Sequence, residues 1–294
     1  MLLVAVCVWC PALAGLAEAQ SPAAFDSSKA WEHLRQQVSI GPRPSGSPGN
    51  VKTRDYIKAQ MAALGIKVVE QPFEGATPLG PVKMVNLIAT IPGKNADRIV
   101  LGSHFDTKLF RDMRFVGASD GASSTAALIE LGRVIKARGQ LPLTIELLFL
   151  DGEEAVVEWQ GNDNTYGSRY YVEAARKSGA LKTLRAFILL DMIGDRNLTI
   201  RRESNSTRWL TDIVWGAAKK LGHRAFMDEE TAVEDDHLPF LKAGVPSLDI
   251  IDLDYPQWHT AEDTLDAVGA RSLQVVGETV VAALPQIEAR LLKQ

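Results

Sequence analysis

Two rhythms of apolar and polar positions run along the chain. Leu143 to Leu150 is a continuous apolar run bounded by charged and turn residues, which predicts a strand buried on both faces. Leu184 to Asp191 and Val245 to Ile251 have the same character, and Lys83 to Ile91 and Arg98 to Ser103 also read as strands. Helical spacing marks Trp31 to Val38, which follows the cap-like Asp26-Ser27-Ser28, and Val51 to Leu64, which stops at Gly65. It returns in Ser119 to Arg138, Ser206 to Leu221 and Ala270 to Leu292. Residues 41–49 are a loop by composition, and no internal repeat is visible. Strands alternating with helices predict an α/β fold, a central mixed but mostly parallel sheet covered by helices on both faces.

The amino terminus breaks this pattern. Leu2 to Leu16 is almost wholly apolar and uncharged, and Ala17-Glu18-Ala19 follows as a small-x-small site. This predicts a signal peptide over residues 1–19, cut before Gln20, and a single domain over 20–294. The run lacks an initial Lys or Arg, so an uncleaved anchor is the alternative, but it is shorter than the ~20 residues of a span. The mature protein is expected to be exported, periplasmic or secreted, with no membrane attachment, and to be a monomer. Both cysteines, Cys7 and Cys10, fall in this segment, so the remainder has no disulfide, thiolate metal site or cysteine nucleophile. A formal net charge of −4 argues against phosphate-driven nucleic-acid binding. With 46% hydrophobic and 23% charged residues, the chain is neither disordered nor fibrous.

Candidate chemistry sits where the apolar runs end. One run ends in Ser103-His104-Phe105-Asp106, another in Asp151-Gly152-Glu153-Glu154, a third in Asp191-Met192-Ile193-Gly194-Asp195, and a fourth leads through Asp252 and Asp254 to Trp258-His259. Asp120 opens a helix. Sites in open α/β sheets collect at the carboxyl ends of strands, so these groups would converge on one edge. Without cysteine, a catalytic zinc must use imidazole and carboxylate, with three protein ligands and one open position. His104 and His259, with Asp120, Glu154 and Asp191, are the candidates; His33 and His223 read as surface residues. Taken singly, an Asp at a helix start is more often a cap, and a strand-end His a core residue. Several crowded acids, however, repel without a cation. In the adjacent pair, one glutamate could bind metal while its neighbour serves as general base. No G-x-S-x-G, phosphate-binding loop or H-E-x-x-H motif occurs.

The segments GSHFDTKLF, FVGASDGASSTAALIELGRVI, LFLDGEEAVVEWQGNDNTYGSRYY, FILLDMIGD, EDDHLPFLKAGVPSLDIID and YPQWHTAEDTLD resemble, in order, the glutaminyl-peptide cyclotransferases, which are related to zinc-dependent aminopeptidases. GSHFD, the helix-opening Asp and DGEE would fit the wider aminopeptidase clan. Trp159, the DDH block and the Trp258-His259 pair point to the cyclase branch. The resemblance implies a zinc-exopeptidase-like fold and one zinc held by Asp120, Glu154 and His259. It implies Glu153 as proton shuttle, with Asp191 and Asp235 as further catalytic residues. It places Trp159, Trp258, Tyr255 and His237 in the substrate pocket. The implied substrate is a peptide or protein beginning with glutamine, converted to pyroglutamate with release of ammonia; the alternative is an aminopeptidase with one or two metals. The chain departs from the family at Ser103 and Thr125, which match a disulfide of the animal enzymes, and at Asp249, which matches a histidine.

Overall fold

A computed structural model describes residues 23–293; the expected signal peptide and both cysteines lie outside them. Six strands form the central sheet in the order β1-β2-β4-β3-β5-β8. In chain order these are β1 (Lys67–Thr77), β2 (Gly80–Ile91), β3 (Gly93–His104), β4 (Leu141–Leu150), β5 (Leu184–Asp191) and β8 (Ser247–Ile251). β1, β2 and β4 pair antiparallel, while β4, β3, β5 and β8 run parallel. The sheet is therefore mixed and mostly parallel, as expected. A separate two-stranded ribbon pairs β6 (Ile200–Glu203) with β7 (Phe226–Thr231).

Period-two alternation divides the strands between two cores. Leu143, Ile145, Leu147 and Phe149 of β4, with Ala186, Ile188 and Leu190 of β5, join the larger core. Its helices are α1 (Ser27–Ile40), α2 (Pro48–Ala63), α3 (Ser124–Ala137), α5 (Arg208–Leu221) and α7 (Ala270–Leu291). The intervening Leu148, Leu150, Phe187 and Leu189 face the other way, against α4 (Tyr166–Ser178) and α6 (His237–Lys242). Stacked Phe187 and Phe240, with centroids 3.8 Å apart, fix α6 on that face. Because both faces are covered, these strands read as unbroken apolar runs.

The four parallel strands end on one edge. That edge collects His104 from β3, the turn after β4, Asp191 from β5 and the chain beyond β8. Among the described residues, no helix is long and apolar enough to cross a membrane.

Candidate active site

The turn after β4 is built around two buried aspartates. Asp151 accepts from Ser45 Oγ at 2.7 Å, Asn50 Nδ2 at 2.8 Å and the Val85 amide at 2.8 Å. Gly152 follows at φ 76°, a left-handed backbone conformation that favours glycine. The amides of Glu153 and Glu154 then donate to the two oxygens of Asp106, at 3.2 and 3.3 Å. One carboxylate thus fixes consecutive backbone groups, and both glutamate side chains line the same cavity.

Asp120 comes from an irregular turn, not from the regular helix start expected of it. Residues 118–123 form a wide turn before α3, with Asp120 at φ −79°, ψ 102°. Gly121 follows at φ 83°, where a Cβ would lie 2.7 Å from the Asp106 carbonyl. Asp263 binds the amides of Ser119 and Asp120 at 2.8 and 3.1 Å and accepts from Tyr255 Oη at 2.7 Å. From the other side the wholly buried Arg43 donates to the carbonyls of Gly41, Phe105, Val116 and Gly117. Burial lowers the Arg43 pKa to about 10, against the pull of Asp263, Asp120 and Asp106, so it remains a cation at neutral pH.

Two groups of three side chains meet at Asp120, and each fits a metal. His259 Nε2 lies 3.3 Å from Asp120 Oδ2 and 3.3 Å from Glu154 Oε1. His104 Nε2 lies 3.2 Å from Asp120 Oδ1 and 3.1 Å from Asp191 Oδ1. Ligands about 2.1 Å from a tetrahedral zinc stand about 3.4 Å apart, so the first set has the spacing of a zinc site. Among the described residues, Asp120 Oδ2 is also buried without a hydrogen-bond partner, an arrangement that a cation would satisfy. His259 has φ 55°, and Phe110 and Phe115 pack edge-on against its ring, each 5.9 Å away. Backbone strain and packing together hold the imidazole toward the carboxylates.

The electrostatics follow from crowding under cover. Burial pushes Glu153 well above the usual carboxylate range; Glu154, Asp235 and Asp236 push the same way, and His104 opposes them. Burial, then Asp249, Asp191 and Asp236, does the same to Asp235. Burial and Asp120 raise Glu154 to about 7. Burial works against a charged ring at His259, but the adjacent carboxylates of Asp120 and Glu154 prevail and raise it to about 9. Without a cation, burial and crowding thus favour the protonated forms of Glu153 and Asp235 and the charged ring of His259.

The cavity above them has a volume of about 670 Å³. Asp120, Glu153, Glu154, Asp191, Asp235 and His259 line its floor, and Trp159 and Trp258 line it with Val157, Val233 and Leu253. The structure thus brings together eight of the ten residues expected at the site. It does not bring Tyr255 or His237 into the cavity. Tyr255 is 3% exposed and is used up on Asp263. His237 is wholly buried, with Nε2 3.1 Å from Glu203 and Nδ1 3.6 Å from Asp249. Both stand behind the wall and act on it only through their partners. Asp235 lies just before α6 and does not cap it; its Oδ2 is buried and unpartnered. Sequence reasoning gave no role to Arg43, Asp106 or Asp263. Asp106 at a strand end was the nearest to a signal; Arg43 sits in a stretch that reads only as loop.

Ser103 and Thr125 do adjoin. Their hydroxyls lie 3.2 Å apart in the core, and Thr125 donates to the His104 carbonyl at 2.7 Å. A hydrogen bond therefore joins the two segments here.

The sequence profile of peptidase family M28 matches residues 86–284. A leucine aminopeptidase precursor from Bacteroides thetaiotaomicron is 30% identical, with a TM-score of 0.82 over 90% of this chain and 98% of that one. The crystal structure of an Acidobacteriales bacterium glutaminyl cyclase is 44% identical, with a TM-score of 0.88 over 94% of this chain and 100% of that one. A glutaminyl-peptide cyclotransferase-like protein of Bos taurus is 32% identical over 82% of this chain and 70% of its own length. The chain belongs to the glutaminyl-peptide cyclotransferases within peptidase family M28.

Proposed function

We propose that this protein converts the amino-terminal glutamine of peptides or proteins to pyroglutamate and releases ammonia. The observation that carries the reading is the Asp120–Glu154–His259 cluster beside Glu153, under a mouth of two tryptophans. One zinc ion would be held by Asp120, Glu154 and His259. When bound, it polarises the γ-carbonyl oxygen of the substrate and, as a nearby cation, favours the ionised form of Glu153.

The rest of the work falls to the chain's own residues. Glu153 takes a proton from the α-amine as its nitrogen bonds to the γ-carbonyl carbon (Cδ) of the side-chain amide. It then returns a proton to the leaving nitrogen as that carbon–nitrogen bond breaks, so ammonia departs and the ring stays closed. Asp191 and Asp235 line the cavity beside it and keep the shared protons local. Trp159 and Trp258 flank the first residue and hold the bent, near-attack conformation. Tyr255 and His237 support this wall from behind.

The second reading is an aminopeptidase, and one observation favours it. The His104–Asp120–Asp191 set shares Asp120 with the first set and could hold a second metal. Paired metals of that kind activate a water instead of a substrate amine. The two readings separate with zinc-loaded protein and two short peptides, one beginning in glutamine and one in leucine. Ammonia at unchanged chain length supports the cyclase; free leucine overturns it. Activity complete at one equivalent of zinc supports the single-ion site. We further propose export through residues 1–19, a single domain over 20–294 and a monomeric state.

A further inference from the structure

The floor of the cavity accounts for the first residue of a peptide and leaves the outer part without a role. At about 670 Å³, the cavity has the volume of a site for a ligand larger than one residue. Its outer wall is formed by Val157, Glu158, Trp159, Val233, Glu234 and Trp258. Val157 is 53% exposed, Trp159 36% and Trp258 48%, an apolar surface left open to solvent around a mouth. Glu158 and Glu234 are exposed on the same wall, and among the described residues neither has an ion-pair partner. The lining holds one lysine, Lys108, and it is already engaged. Its Nζ donates to the Ala155 carbonyl at 2.9 Å and lies 3.9 Å from Glu154 Oε2. Deeper in, Asp235 lines the same cavity, and among the described residues its buried Oδ2 has no hydrogen-bond donor.

Aromatic faces beside unpaired carboxylates suit one kind of side chain. Arginine or lysine can lay its apolar stem or cationic head on tryptophan while the charge meets a carboxylate. An acidic side chain at the same place would face two like charges. The geometry points to a subsite in the outer cavity for a basic residue at the second or third position of the substrate. This rests on the proposed reading, in which the first residue occupies the floor and the chain leaves through the mouth. Specificity then lies in the mouth and chemistry in the floor.

The test uses zinc-loaded protein and three amidated peptides, with arginine, alanine or glutamate in the second and third positions after glutamine. Affinity is read from tryptophan fluorescence and turnover from ammonia. Near 0.01 M ionic strength, where charges act over about 30 Å, the arginine peptide is expected to bind roughly five- to tenfold more tightly than the glutamate peptide. Near 1 M salt, where the screening length is about 3 Å, the ratio should fall below about twofold. The double variant Glu158→Gln, Glu234→Gln should collapse it in the same way without salt. Equal affinities at low salt, or a ratio that survives in the double variant, overturn the subsite. Because affinity is measured apart from ammonia, an affinity order that holds without any ammonia release supports the subsite and defeats the cyclase reading instead.

Discussion

Two sets of buried carboxylates share the carboxyl edge of the sheet, and they are treated in opposite ways. Asp151, Asp106 and Asp263 each receive two or more protein donors, from backbone amides, hydroxyls or an asparagine. Asp120 and Asp235 each keep a buried oxygen with no hydrogen-bond donor among the described residues. Satisfied carboxylates hold loops in place; unsatisfied ones await a cation, a substrate or a proton. Desolvating an unpaired polar group costs about 1–3 kcal/mol, more when it is charged, so a fold retains such groups at a site only with compensation from its surroundings. The first set positions the second: Asp106 holds the amides of Glu153 and Glu154, and Asp263 holds the amide of Asp120.

The comparison can be broken at either set. Removal of metal by a chelator should have the largest effect, lowering ammonia release roughly a thousandfold or more, with recovery on adding zinc. Full turnover in metal-free protein would sink the assignment of Asp120, Glu154 and His259. Next comes Glu153→Gln, expected to reduce kcat by about 10²–10⁴ while zinc content measured by mass spectrometry stays unchanged. Asp151→Ala tests the other set. It leaves the donors of Ser45, Asn50 and Val85 unmatched, so calorimetry should show ~2–3 kcal/mol of lost stability, or about 4–6 °C. Its kcat/KM per folded molecule should stay within about threefold; a loss as deep as that of Glu153→Gln would erase the distinction.

Smaller effects sharpen the contrast. Zinc must displace the proton of His259, whose pKa is raised to about 9, so zinc affinity should rise as pH rises toward that value. For one displaced proton the gain is about tenfold per pH unit, and steeper below about pH 7, where Glu154 also carries a proton; competition with a zinc indicator between about pH 7.5 and 8.5 would reveal a nearly flat profile if the ring were already neutral. Tyr255→Phe should have the smallest effect. It removes one hydrogen bond to Asp263, costing ~1 kcal/mol in a melting experiment, with KM for a glutamine peptide changed by less than about twofold. A large rise in KM would return Tyr255 to the substrate pocket, from which its buried position removes it.

Legibility followed burial. β4 and β5 are covered on both faces, so Leu143 to Leu150 and Leu184 to Asp191 stand out in the sequence as strands. β1 is an edge strand with one partner and many exposed positions, and it contains Pro72, so its pattern gives no such signal. The short ribbon of β6 and β7 is missed for the same reason, since most of β7 is exposed or half-buried. The helix expected from Ser119 begins at Ser124, because Asp120 and Gly121 take the backbone out of helical conformation to place a carboxylate.

The sequence alone carries the alternation of strands and helices, the polar strand ends and the set of residues capable of acid–base and metal chemistry. Those follow from periodicity and residue type, which are local. It also carries the family resemblance, because the motifs recur in order. Only the tertiary structure decides which acids are satisfied and which are not, since their donors come from distant segments: Ser45 and Asn50 for Asp151, Tyr255 and the 119–120 amides for Asp263. It also decides that Tyr255 and His237 lie behind the cavity wall while Trp159 and Trp258 remain at its mouth. An aromatic or a histidine has the same identity on either side of a wall. Packing alone, through the segments folded against it, determines which side it occupies.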